Sequence, residues 1–295
     1  MLVRIKSESL CVDINPIGAE LYSLHSFVTG SEYLWQGDPK FWERRAPVLF
    51  PIVGRLKDGS YTYDNKEYHL LPHGFAGNAE FDVIAKTENT VTFELTHSPE
   101  TLAIYPFDFA FQVKFELSNN TLNTIYHVQS KNESDMWFSV GSHEAYRCPL
   151  HEGEGFEDYY VEFGKDDTYL CHTLSQNGLL TGKFFNVLEN DRVLPLSYEI
   201  FEKNDSLVFE NFQGGSIFLK SRKTKTYLEV GFGDATDLVL WTMPGAPYIC
   251  IEAWNGLPDF EIPISKELCD KKGIIHLKAG ESLQYGHSLT IHELE

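Results

Sequence analysis

The chain has 295 residues, 42% of them hydrophobic and 14% aromatic, which is enough apolar mass for a sizeable core and fits one large or two ordinary domains. Its 43 acidic residues against 24 basic ones give a formal charge of -19, which repels phosphate backbones and anionic lipid surfaces and argues against nucleic acid or membrane partners. The opening Met1-Leu2-Val3-Arg4-Ile5-Lys6 lacks the apolar run of a signal peptide, and no stretch approaches the roughly 18 apolar residues of a membrane span, so a cytoplasmic protein is expected.

In chain order, Asp38-Pro39 is placed to cap a short turn through Phe41-Trp42-Glu43. The run Ala46-Pro47-Val48-Leu49-Phe50-Pro51 carries two prolines, which argue against a central strand because proline cannot donate to a ladder. Arg55 follows Gly54 and opens toward a turn at Lys57-Asp58-Gly59; alone it reads as a surface or salt-bridge residue. His73 lies in Pro72-His73-Gly74, a loop able to aim an imidazole away from the core, and alone it reads equally well as structural or functional.

Period-two alternation marks strands at Val91–Leu95, Phe111–Leu117, Leu228–Phe232 and Leu283–Ile291, with turn-formers at Asn119-Asn120 and Gly214-Gly215. The stretch from His151 to Asp167 is irregular and acidic, and is read as a solvated loop beside one strand at Tyr159–Phe163. Ser265 is placed to cap a short helix over Lys266-Glu267-Leu268. Many short strands with few helices predict an all-β protein. We expect a large antiparallel β-sandwich over residues 1–295 as a single domain, with short helices as connectors, because each one-sided sheet must bury its apolar face against another. The five cysteines, Cys11, Cys148, Cys171, Cys250 and Cys269, are scattered without a CxxC pair and are expected to be reduced.

Two further segments carry ionisable groups in unusual company. In Phe138-Ser139-Val140-Gly141-Ser142-His143-Glu144-Ala145-Tyr146-Arg147-Cys148-Pro149 an expected strand ends at glycine and presents His143 just beyond it. In Tyr248-Ile249-Cys250-Ile251-Glu252-Ala253-Trp254-Asn255-Gly256 a single glutamate is set in an apolar run, where a carboxylate is costly unless paired or functional.

Taken together, Pro47-Val48-Leu49-Phe50-Pro51-Ile52-Val53-Gly54-Arg55, His73-Gly74-Phe75-Ala76, Gly141-Ser142-His143 and Glu252-Ala253-Trp254-Asn255-Gly256 resemble the aldose 1-epimerases, or galactose mutarotase-like proteins. The likeness is to their bacterial, lactose-operon-related branch, and its order and spacing cover nearly the whole chain. It implies a single large β-sandwich of the galactose mutarotase-like supersandwich type with an open cleft on one sheet. It implies His143 as general acid, Glu252 as general base, and Arg55 and His73 as sugar-binding residues. Asp205, just before Ser206-Leu207-Val208-Phe209, best matches an aspartate that holds sugar hydroxyls. No cofactor and no metal are implied; the partner is a small sugar, and the protein is a monomer or homodimer.

The chain departs from the branch at Gly77, where arginine is common, and at Glu144 and Ala253, where proline is common. A non-catalytic sugar-binding module would explain the sandwich but has no need of an acid histidine and a base glutamate. A glycoside hydrolase would use two carboxylates. A metal site of His73, His143 and Glu252 has acceptable ligand types without supporting spacing. Trp254 is a candidate to stack on a sugar face or to belong to the core. The substrate is a free hexose or a hexose 6-phosphate. A phosphate would want clustered cations such as Arg44, Arg45, Arg55 and Arg147, whereas the net charge favours a neutral sugar.

Overall fold

The computed structural model describes residues 1–293, so the last two positions of the expected 1–295 span lie outside the described residues. Fourteen strands form one long antiparallel sheet that packs as a sandwich, joined by a three-stranded sheet of Val3–Lys6, Leu10–Asn15 and Glu20–Ser26 and by two small ribbons. Alternation produces the two-layer packing directly. In Thr121–Ser130 every second residue is buried, and its neighbour Phe109–Ser118 buries Phe109, Phe111, Val113, Phe115 and Leu117.

The expected strands are present, within Thr90–Thr96, Phe109–Ser118, Tyr227–Gly231 and Ser282–His292; Phe232 falls just outside its strand. Asn119-Asn120 forms a hairpin turn, with Asn119 at φ +53°. The segment between His151 and Asp167 differs from expectation. Its strand does not stop at Phe163 but runs from Tyr159 to Leu174 and pairs with Leu180–Pro195 as a long, bulged hairpin. Residues 164–168 are exposed on both faces, so the alternation that would have announced a strand is missing.

Asp38 accepts hydrogen bonds from the Phe41 and Trp42 amides through its carbonyl, a single turn rather than a helix. The helical turn expected over 266–268 begins later, at Leu268–Asp270, while Ser265 Oγ accepts from the Glu267 amide. Two helices carry weaker sequence signals: Pro99–Ile104, capped by Ser98, and Tyr198–Asn204. All five cysteines are free. No helix among the described residues is long and apolar enough to cross a membrane.

Two features of the fold position the site. The proline-flanked run at 46–56 forms no strand; it crosses the sheet through isolated bridges, Leu49 to Gly141 and Phe50 to Gly74. Fully buried Phe50 pins this run to the core by stacking on Phe111 at 4.5 Å between centroids. The strand Tyr248–Asn255 lies between Val140–Gly141 and Ala145–Arg147 on one side and Asp237–Trp241 on the other. Ile249, Ile251 and Ala253 join the main core, which leaves Cys250, Glu252 and Trp254 on the opposite face.

Candidate active site

That opposite face is the floor of a cleft of about 360 Å³, lined by Arg55, His73, His143, Asp205 and Glu252 together with Trp42, Arg44, Trp241 and Trp254. All five residues singled out in the sequence therefore meet in one place, at a volume suited to a small ligand. Strand register accounts for the central pair. Gly141 faces Trp254 across the ladder and Ala145 faces Cys250, so the loop between them suspends His143 over Glu252.

His143 Nδ1 lies 3.6 Å from Glu252 Oε1, with the two side chains 11% and 1% exposed. This is beyond hydrogen-bond length, and Nδ1 is buried without any other partner. The Trp254 indole N–H donates to Glu252 Oε2 at 3.1 Å and to the Ser142 carbonyl at 3.0 Å, which holds the carboxyl in place. Trp42 stacks on the His143 ring at 4.8 Å, and Trp241 meets it edge-on at 5.7 Å.

Removal from water acts oppositely on the two groups. Burial, reinforced by Glu144, pushes the Glu252 carboxyl well above its usual range, against the Trp254 hydrogen bond. Burial above all, with smaller influences from neighbouring His73 and Arg44, pulls the His143 imidazole well below its usual range against an opposing backbone hydrogen bond. Burial thus favours the neutral form of each group.

His73 has φ +65°, a left-handed conformation rare for a side-chain-bearing residue. Its amide donates to the Gly54 carbonyl at 2.8 Å, and the Gly54 amide donates back to Nδ1 at 3.2 Å. With Nδ1 accepting, neutral imidazole carries its hydrogen on Nε2 as a donor. Burial first, then Arg55 and Arg44, lower its pKa to about 4, so this neutral form persists at pH 7. Arg55 is exposed and lines the same cleft, its backbone carbonyl accepting from the Asp259 amide at 2.8 Å. Asp205 caps the helix Tyr198–Asn204; burial raises its carboxyl and Arg55 partly offsets this.

The three departures have local explanations. Gly77 leaves room for Arg44, whose Nη2 donates to the Gly77 carbonyl at 2.7 Å while Nη1 donates to Asn78. Ala253 supplies an amide that proline would lack, and it donates to Ser142 Oγ at 3.2 Å. Glu144 points away from the cleft to His287. Of the four arginines considered for a phosphate, only Arg44 and Arg55 line the cleft. Arg45 lies over the Tyr22 ring, and Arg147 donates to the Glu32 carbonyl.

Trp42 and Trp241 line the cleft although sequence reasoning did not assign them to the sugar site, and Arg44, considered there only for a phosphate, lines it too. Their signal was limited to aromatic and basic residues beside a proline turn. As for metals, the ligand atoms of His143, Cys250 and Glu252 lie within 4.8 Å of one another. Burial raises both the Cys250 thiol and the Glu252 carboxyl well above their usual ranges.

Comparison with known proteins agrees with this architecture. The family described as aldose 1-epimerase matches residues 1–290. Protein LacX (plasmid) of Lactococcus lactis subsp. lactis is 34% identical over 266 residues, covering 87% of this chain and 88% of that protein. The crystal structure of a galactose mutarotase related enzyme from Lactobacillus acidophilus superposes with a TM-score of 0.94 at 37% identity, covering 99% of this chain and 98% of that one. A galactose mutarotase-like protein from Lactobacillus casei gives 0.92 at 27% identity, covering 99% and 100%. The chain belongs to the aldose 1-epimerase family.

Proposed function

We propose that the protein interconverts the α and β anomers of a free hexose or related neutral sugar by general acid-base ring opening. The observation that carries this reading is the buried, mutually unbonded pair of His143 and Glu252 on the floor of a sugar-sized cleft. Glu252 as carboxylate takes the proton of the anomeric hydroxyl, and protonated His143 gives its proton to the ring oxygen as the bond between C1 and that oxygen breaks. The products are the open aldehyde, protonated Glu252 and neutral His143. Rotation about C1–C2 presents the other carbonyl face, and the same groups close the ring in reversed roles.

This polarity suits the dry site. Opening converts a charged pair into the neutral pair that burial favours, so the environment stabilises the ring-opened stage. Before opening, a proton must sit on His143, and the 3.6 Å approach of Nδ1 to Oε1 offers a short route for it. Arg55, Asp205 and the Nε2–H of His73 hold hydroxyls. The separation of Arg45 and Arg147 from the cleft favours a neutral sugar over a hexose 6-phosphate.

The test is polarimetry or one-dimensional proton NMR on freshly dissolved α-glucose, α-galactose and their 6-phosphates, with and without protein and with added chelator. Acceleration on a free sugar that survives the chelator is the expected result. Binding of several sugars without acceleration would make the protein a sugar-binding module.

A further inference from the structure

Arg55 lines the cleft, yet its guanidinium makes no hydrogen bond or ion pair among the described residues. The aim of so flexible a side chain then depends on what fixes its backbone and what packs on its stem. The backbone is gripped on both sides by one residue. The Arg55 carbonyl accepts from the Asp259 amide at 2.8 Å, and the Lys57 amide donates to Asp259 Oδ2 at 2.9 Å. Just before them Gly54 is closed against Pro258, where a Cβ on the glycine would lie 2.6 Å from the proline Cγ. The Asp259 carbonyl accepts from the Leu180 amide at 2.9 Å, which draws in the tip of the long hairpin. There Gly178 lies against the arginine stem: a Cβ on it would meet Arg55 Cδ and Nε at 3.4 Å. Asp259 thus joins the segments that surround Arg55.

Asp259 is in turn held by a buried lysine. Lys271 Nζ donates to Asp259 Oδ1 at 2.7 Å, with the two side chains 4% and 16% exposed. Each carboxyl oxygen therefore has its own donor, and the side chain cannot turn without losing one. A lysine buried this deeply is costly unless paired. Such a pair is often no more stable than apolar residues of the same volume, so stability alone does not account for it. Neither residue lines the cleft. We propose that Asp259, held by Lys271, is a positioning residue that aims Arg55 at the sugar. The proposal rests on the reading of Arg55 as a sugar-binding residue.

The test is a double-mutant cycle of Asp259→Ala with Arg55→Ala, read in steady-state kinetics on an accepted sugar. Asp259→Ala alone should raise KM by roughly three- to tenfold, the worth of about one hydrogen bond, and change kcat less. In the Arg55→Ala background it should raise KM no further, because the residue it positions is gone. The nitrogen-15 order parameter of the Arg55 amide is measured alongside and should fall from about 0.85 in wild type toward 0.6 in Asp259→Ala. A folded Asp259→Ala with wild-type KM, a rise in KM as large in the Arg55→Ala background as in wild type, or an unmoved order parameter would overturn the proposal. If Asp259→Ala does not fold, Lys271→Met, which keeps an apolar stem and removes the donor, is carried through the same cycle. If no sugar is turned over, the function reading fails, and the order parameter alone decides this proposal.

Discussion

At Glu252 and His143, the chemistry follows from what burial does to each side chain. One isolated charge in an apolar strand was visible in the sequence because Ile251, Cys250 and Trp254 surround it. Its partner was visible only as a histidine after a glycine, since the distance between them depends on pairing between segments about 110 positions apart. Trp42 escaped notice for the same reason: it comes from a single irregular turn, and its role is a long-range stack on His143. Arg55 makes a prediction of a different kind. It is exposed and lines the cleft; under the proposed role, in which it holds hydroxyls equally in the ground and transition states, Arg55→Ala should raise KM by more than it lowers kcat. Steady-state kinetics on an accepted sugar check this; unchanged KM with kcat down about a hundredfold would place Arg55 in the proton-transfer chemistry.

Among the elements, the strands were legible wherever one face is wet and the other dry. Thr121–Ser130 shows this, whereas the middle of the Tyr159–Leu174 strand, wet on both faces, carries no periodic signal. The proline-flanked run at 46–56 was correctly excluded as a central strand, but its task, holding Gly54 against His73, is set by tertiary contacts. Gly74 is the hinge of that arrangement. It has φ +76°, and a Cβ there would lie 2.3 Å from the Phe50 carbonyl oxygen. Gly74→Ala should therefore destabilise the protein by about 1–3 kcal/mol and displace His73. Calorimetry gives the first quantity and sugar affinity the second; a wild-type Tm with wild-type affinity would show that the turn relaxes freely.

For the whole molecule, the net charge of -19 concerns partners and solubility, and pH sensitivity comes from a few buried groups. His73 is the clearest, lowered from 6.5 to about 4 mainly by burial. Its contribution to stability is fully present above about pH 6.5. It is lost as pH falls toward 4, because the unfolded chain takes up the proton first. Wild type should thus lose more Tm over that window than His73→Asn does; parallel curves would mean that His73 is not protected from protonation. The central claim, that His143 and Glu252 act as one proton-transfer unit, is tested most directly by two-dimensional exchange NMR of the anomeric protons. The samples are wild type, Glu252→Gln, His143→Asn and the double variant, with sugar affinity measured on each. Each single substitution should slow anomer exchange by roughly 10²- to 10⁴-fold with binding retained, and the double variant should be little slower than the slower single. Exchange near the wild-type rate in either single variant, on a sugar that the wild type turns over, would contradict the account.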